Sequence, residues 1–215
     1  MAKIISMAQA MDQIKDGMTI MIGGFLAVGT PEKLVDGILQ KNVKNITVVA
    51  NDTGFPDKGV GKLVVNKQLN KAIVSHIGTN PETGRQMNAG ELEVELVPQG
   101  SLAEKIRAAG FGLGGILTPT GVGTPVEQGK QKITVEGRDY LLELPIKADV
   151  ALVKAHKADK AGNLVFRCAA RNFNPLMATA AEIVIVEAEQ IVEIGKIGPD
   201  EVMTPGIFVT YLVQG

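Results

Sequence analysis

A short apolar run, Thr19-Ile20-Met21-Ile22, stops at the glycine pair Gly23-Gly24. Pro31 then opens a pattern in which Leu34, Val35, Ile38 and Leu39 share one helical face. Proline suits a helix start because its missing N–H would have no partner there, and the apolar stripe must be buried. The segment reads as strand, glycine loop, helix. In an open α/β sheet such a loop lies beyond the C-terminal end of its strand, where ligands bind.

The same grammar continues along the chain. Ser6 with Gln9 forms a capping-box pattern ahead of Met7, Ala10, Met11 and Ile14 at helical spacing. Ile46–Ala50, Ala72–Ser75 and Val94–Val97 read as buried parallel strands. Ser101 with Glu104 suggests a second capping box before Leu102, Ile106 and Ala109, with Gly110 as a C-terminal cap. Residues 110–129 hold seven glycines and two prolines, which predicts an ordered loop lying against another part of the protein, or a surface segment. Ile133–Val135, a turn at Glu136-Gly137-Arg138 and Tyr140–Leu144 predict a β-hairpin. Asp149–Val153 and Glu182–Val186 are further core strands, with a helix starting at Asn174-Pro175 between them. The expectation is an α/β fold: a mainly parallel sheet with flanking helices and an inserted β-hairpin, in a single domain over residues 1–215, with no evident internal repeat.

Composition narrows the function. With 215 residues the chain can bury about 70% of its unfolded surface. Twenty-two basic residues against 23 acidic give a net charge of -1, and no basic run offers a footprint for nucleic acid. One cysteine and two histidines make neither an internal disulfide nor a structural zinc site. The start of the chain lacks a signal-peptide pattern, and no apolar run approaches the roughly 20 residues of a membrane span. A cytoplasmic protein without membrane or nucleic-acid partners is expected.

The glycine loop is the strongest site candidate. Exposed amides and a following helix N-terminus suit an oxygen that carries or develops negative charge. Gly24-x-x-x-x-Gly29-Thr30 matches a phosphate-binding P-loop only up to Thr30, where that motif has lysine, and the glycine spacing does not fit a dinucleotide fold. A tight structural turn is the alternative.

The run Asp16-Gly17-Met18-Thr19-Ile20-Met21-Ile22-Gly23-Gly24-Phe25-Leu26-Ala27-Val28-Gly29-Thr30-Pro31 resembles the α-subunit signature of family I (3-oxoacid) CoA-transferases. The likeness extends through Ala50-Asn51-Asp52-Thr53, Ser75–Arg85, Leu117–Thr124 and Ala170–Pro175, nearly the whole chain. Within the family it is most similar to α subunits of the acetate/acetoacetate and butyrate/acetoacetate type. The resemblance implies a CoA-transferase fold, shared with sugar-phosphate isomerases, and a ping-pong transfer of CoA between a short-chain (3-oxo)acyl-CoA and a free short-chain carboxylate. It implies that the nucleophilic glutamate lies on a β subunit, in an α2β2 complex with no permanently bound cofactor and a CoA thioester as substrate. It places acyl-CoA binding on Gly23, Gly24, Phe25, Leu26, Ala27, Val28, Gly29 and Thr30, with oxyanion support from Gly24 and Phe25.

Other residues leave alternatives open. Glu127-Gln128-Gly129 and Glu193-Ile194-Gly195 have Glu-x-Gly spacing without the serine that precedes the family's nucleophile, and read as solvated carboxylates. His76 and His156 follow apolar runs and are either structural or near a ligand. Arg171 suits an anion or a salt bridge, Asn51 and Asp52 suit the loop mouth, and Cys168 reads as a small packed residue. Two other functions fit the fold: a non-catalytic ligand-binding or sensor module, and a phosphosugar isomerase using Asp52, His76 and Glu82.

Overall fold

The computed structural model describes residues 2–215. Its first half runs β1 (Lys3–Ile4), α1 (Met7–Asp12), β2 (Thr19–Ile22), α2 (Glu32–Lys41), β3 (Ile46–Val49), α3 (Val60–Val65), β4 (Leu69–Val74), α4 (Pro81–Asn88), β5 (Glu93–Leu96) and α5 (Gln99–Gly110). There follow β6 (Ile116–Thr118), β7 (Lys132–Val135), β8 (Arg138–Glu143), β9 (Ala148–Asp159), β10 (Leu164–Val165), α6 (Asn174–Met177), β11 (Ala181–Val192) and β12 (Tyr211–Gln214).

Nine strands form one sheet in the order β1-β12-β11-β9-β2-β3-β4-β5, with β10 antiparallel beside β9 and every other pairing parallel. From β2 the chain steps one way to β5. From β9, on the other side of β2, it steps the opposite way to β12. The β2–β9 boundary is therefore the topological switch point, where adjacent loops diverge and leave a crevice.

The continuous apolar strands follow from cover on both faces. Ile20 and Ile22 pack with Leu34, Val35 and Ile38 of α2 and Leu63 of α3. Met21, between them in sequence, points the other way, into a cluster with Leu102 and Ile106 of α5 and Met177 of α6. Each fully buried Ile or Leu contributes roughly 1.5–3 kcal/mol of transfer free energy. β5 is different: it is an edge strand with exposed Leu96 and half-buried Val94, so of the predicted buried run Val94–Val97 only Val97, just past the strand, is buried.

The predicted hairpin is present as β7–β8, and Glu136 (φ 51°) and Gly137 (φ 78°) supply the two positive-φ residues of a type I′ turn. β6 adds a third strand, so the glycine-rich 110–129 stretch is not wholly irregular. Ser6 and Gln9 make the predicted capping box. The second one fails: α5 starts at Gln99 after Pro98, which places Ser101 inside its first turn and pairs Glu104 with Arg107. Gly110 is the last helical residue and meets Thr179, where a Cβ would lie 2.0 Å from Oγ1, so close packing rather than capping requires glycine there.

One buried carboxylate bridges the switch point. Glu187, from β11, is 1% exposed; its Oε2 accepts from the amides of Lys33 (2.9 Å) and Leu34 (3.1 Å) in the first turn of α2. Lys154 of β9 donates to its Oε1 at 2.8 Å. Replacing Glu187 by alanine would leave a poorly solvated ammonium and two free helix amides. We expect Glu187→Ala to lower the unfolding free energy by about 3 kcal/mol in urea denaturation.

Candidate functional site

The loop after β2 is built around a turn. Phe25 N–H donates to Val28 O (3.0 Å) and Val28 N–H to Phe25 O (2.9 Å), closing a two-residue reversal over Leu26 and Ala27. Both central residues have positive φ, 46° and 66°, the signature of a type I′ turn. Glycine or asparagine normally fills such positions, and side chains there cost roughly 1–2 kcal/mol per residue. Phe25 and Val28 project outward, 41% and 51% exposed. Gly24 has φ 127°, and a Cβ on it would lie 2.2 Å from Oγ1 of buried Thr30.

The amides divide into used and free. Gly23 donates to Leu152 O at 3.0 Å and Leu26 to Asp52 Oδ2 at 2.9 Å, while Phe25 is committed to Val28. The Gly24, Ala27 and Gly29 amides have no acceptor among the described residues. Of the two residues expected to support an oxyanion, Gly24 has a free amide, whereas that of Phe25 is paired within the turn. The first turn of α2, expected to face a ligand, is filled by Glu187 instead.

Beside the turn lies an open cavity of about 340 Å³ lined by Phe25, Leu26, Asn51, Ser75, His76 and Gln99. Asn51 is 2% exposed; its Oδ1 accepts from Gln99 Nε2 (2.7 Å) and Ser75 Oγ (3.2 Å), and its Nδ2 donates to Asp52 Oδ2 (2.6 Å). Asp52 Oδ1 accepts from the Gly54 amide at 2.8 Å. Both residues stand at the loop mouth, as the sequence suggested, but inward, as supports.

A local duplication emerges here. Gly24-Phe25-Leu26-Ala27-Val28-Gly29 after β2 matches Gly54-Phe55-Pro56-Asp57-Lys58-Gly59 after β3 in spacing, and a Phe55–Lys58 bridge repeats the Phe25–Val28 bridge. The duplication is not evident in the sequence, because only glycine and phenylalanine recur.

Asn174, outside the expected site residues, is what fastens the loop. Fully buried, it donates from Nδ2 to Gly29 O (2.9 Å) and Ala170 O (2.8 Å), and its Oδ1 accepts from Lys154 N–H (3.0 Å). A Cβ on Gly23 would fall 1.9 Å from that Oδ1, and one on Gly29 2.6 Å from Ala170 O. Two of the loop's glycines are thus explained by neighbours from the chain's last quarter. Asn172 adds a bond from Nδ2 to Val28 O at 2.9 Å. In the sequence this region was marked only by the helix-opening Asn174-Pro175 pair and by the family-like stretch Ala170–Pro175.

The other candidates fall into place. His76 lines the cavity, with Gly78 passing close to its ring. His156 lies within β9 rather than beyond it, and its Nδ1 pairs with Glu189 Oε2 at 2.8 Å, which holds the Glu189 carboxyl below its usual range. Arg171 is exposed at the end of a 3-10 turn that Cys168 begins. Cys168 is also exposed, with φ 51°, and is not the packed residue expected. Glu127 accepts from the Gly123 amide (2.7 Å), which holds its carboxyl low, and Glu193 pairs with Lys160. Glu82 is held by Arg85 at about 2. Neither Glu127 nor Glu193 lines the cavity.

The sequence profile of the family described as coenzyme A transferase matches residues 4–215. The chain is 53% identical over 211 residues to acetate CoA-transferase subunit alpha of Escherichia coli K12, covering 98% of this chain and 96% of that one. It is also 53% identical to the acetoacetyl-CoA:acetate/butyrate CoA transferase alpha subunit of Clostridium acetobutylicum, over 99% of this chain and 98% of that one. Among solved structures, the acyl-CoA transferase of E. coli O157:H7 in a thioester complex with CoA superposes with a TM-score of 0.88 at 21% identity. All of this chain matches, against 47% of that longer chain, so this likeness concerns the fold. Glutaconate coenzyme A-transferase of Acidaminococcus fermentans gives 0.86 at 20% identity, covering 100% of this chain and 76% of that one.

Asn174→Ala should lower the unfolding free energy by about 2–3 kcal/mol, because it strands buried backbone groups. Gly23→Ala should be comparably damaging by clash. Combined, the two should cost less than their sum, since alanine at 174 removes the atom that the new methyl meets; denaturant titration of the single and double variants measures this coupling.

Proposed function

Because the chain belongs to the coenzyme A transferase family, as the α subunit of an enzyme that acts with a β subunit, we propose that it supplies the acyl-CoA-binding half of a composite active site. One observation carries this reading. The cavity beside the strained turn offers the polar side chains of Asn51, Ser75, His76 and Gln99, but its lining includes no carboxylate or thiol nucleophile. A covalent route requires such a group, and here it would come from the partner.

In the reaction proposed, a β-subunit glutamate carboxylate attacks the carbonyl carbon of the acyl-CoA, and CoA thiolate leaves as an acyl-glutamyl anhydride forms. The thiolate then attacks the glutamyl carbonyl, releasing the first carboxylate and leaving a glutamyl-CoA thioester. A second carboxylate attacks that thioester and the steps run in reverse. Each tetrahedral intermediate carries an oxyanion, for which a preorganised Gly24 amide is suited. Phe25, Leu26, Ala27, Val28, Gly29 and Thr30 shape the wall, with Gly23 fixing the loop's exit from β2.

The relatives' names support acetate, butyrate and acetoacetate as acids of the right size. We take the chain as one domain in a cytoplasmic α2β2 enzyme, with CoA entering as substrate and not as a resident cofactor. The sensor reading has no support in these relatives.

Purified chain mixed with its β subunit, acetoacetate and acetyl-CoA should form acetoacetyl-CoA, followed by absorbance of the enolate. The chain alone should bind acyl-CoA without turnover. Full turnover by the isolated chain would refute the divided site.

A further inference from the structure

The two matched loops differ where it matters. In the second, Pro56 and Asp57 occupy the turn without positive φ, so this spacing can be closed by an unstrained reversal. In the first, Leu26 and Ala27 are both held at positive φ although neither is glycine. Backbone strain at a loop persists only when surrounding contacts over-determine it.

The contact in question is Asp52, 5% exposed and lying between the loops. Its Oδ2 accepts from the Leu26 amide at 2.9 Å, inside the strained turn, and its Oδ1 from the Gly54 amide at 2.8 Å, at the start of the relaxed one. Asn51 Nδ2 supplies a third donor at 2.6 Å, and Asn51 is in turn held by Gln99 and Ser75. All three donors point at one carboxylate, and a carboxylate is the side chain that can accept them all without presenting a donor of its own. Its charge also strengthens each bond.

We propose that Asp52 is a positioning residue of the transfer reaction: it holds the Leu26–Ala27 turn in its strained form and so fixes where the free Ala27 and Gly24 amides point in the acyl site. The inference rests on the reading that this loop faces the reacting acyl group. Asp52 itself touches no substrate. If it is lost, the Leu26–Ala27 peptide can rotate toward an unstrained turn, which redirects the Ala27 N–H and shifts Gly24 beside it. Misplacement of about 1 Å in a catalytic constellation costs on the order of 100-fold in rate.

The test uses the assembled α–β complex. Asp52→Asn preserves shape but replaces one acceptor oxygen with an NH₂ that faces amide donors. It should lower kcat about 100-fold with KM for acyl-CoA changed less than about threefold. Adding Leu26→Gly and Ala27→Gly, which let the turn form without a clamp, should recover at least about tenfold of that loss. A merely structural Asp52 would lower stability without this split and without rescue. An Asp52→Asn complex within threefold of the normal kcat, or a loss that the glycine pair does not recover, overturns the proposal. In the unsubstituted protein, hydrogen exchange at the Leu26 amide should be far slower than at Ala27; equal rates overturn the clamp even if the variant fails to fold. An unsubstituted complex that transfers no CoA would instead refute the functional reading on which the inference rests.

Discussion

The carboxylate of Glu187 does for this fold what a ligand does at many switch points. A parallel sheet wound outward in two directions leaves helix α2 pointing its positive end into the crevice at the reversal. A bound phosphate often occupies that end, yet here a buried side chain from the opposite half of the sheet fills it, with Lys154 balancing the charge. The two halves are thereby joined by a buried charge as well as by the β2–β9 ladder. The glycine loop is left with only its own free amides, and the helix dipole supports the framework.

With the helix end taken, loop geometry becomes decisive. The Phe25–Val28 turn has two residues in left-handed conformation, and supports converge on it from three directions: Asp52 from β3's end, Asn172 and Asn174 from beyond β10, and Thr30 from within. Few of these groups are free to move. The cavity side chains are similarly braced, since Asn51 is held by Gln99 and Ser75. Rigid donors at a site where charge develops need little reorganisation during reaction.

Much of this was legible in the sequence because periodicity reports burial. Thr19–Ile22 and Leu34–Leu39 declared a strand and a helix, and Glu136-Gly137 declared a hairpin turn. Val60-Gly61-Lys62-Leu63-Val64-Val65 went unread as α3 because its β-branched valines favour strands, and only packing of Val60, Leu63 and Val64 against the sheet selects the helix. α4 carried a usable signal, Asn80 capping ahead of Pro81, that polar composition obscured. Asn174 and Glu187 could not be read at all as site supports. Their partners lie far away in sequence, and nothing local distinguishes a buried clamp from a surface amide or carboxylate.

That distance has a kinetic side. The bond from Asn174 to Gly29 closes a separation of 145 residues, and those from Glu187 to Lys33 and Leu34 close 154 and 153. Loops that long form late, after their closure entropy can be offset by contacts elsewhere. On the ribosome the glycine loop emerges with the first seventh or so of the chain and must wait for most of the rest before its clamps exist. The first parallel unit can therefore assemble early while its loop tip stays loose, and the glycine loop acquires its clamped shape only as the last core strands dock.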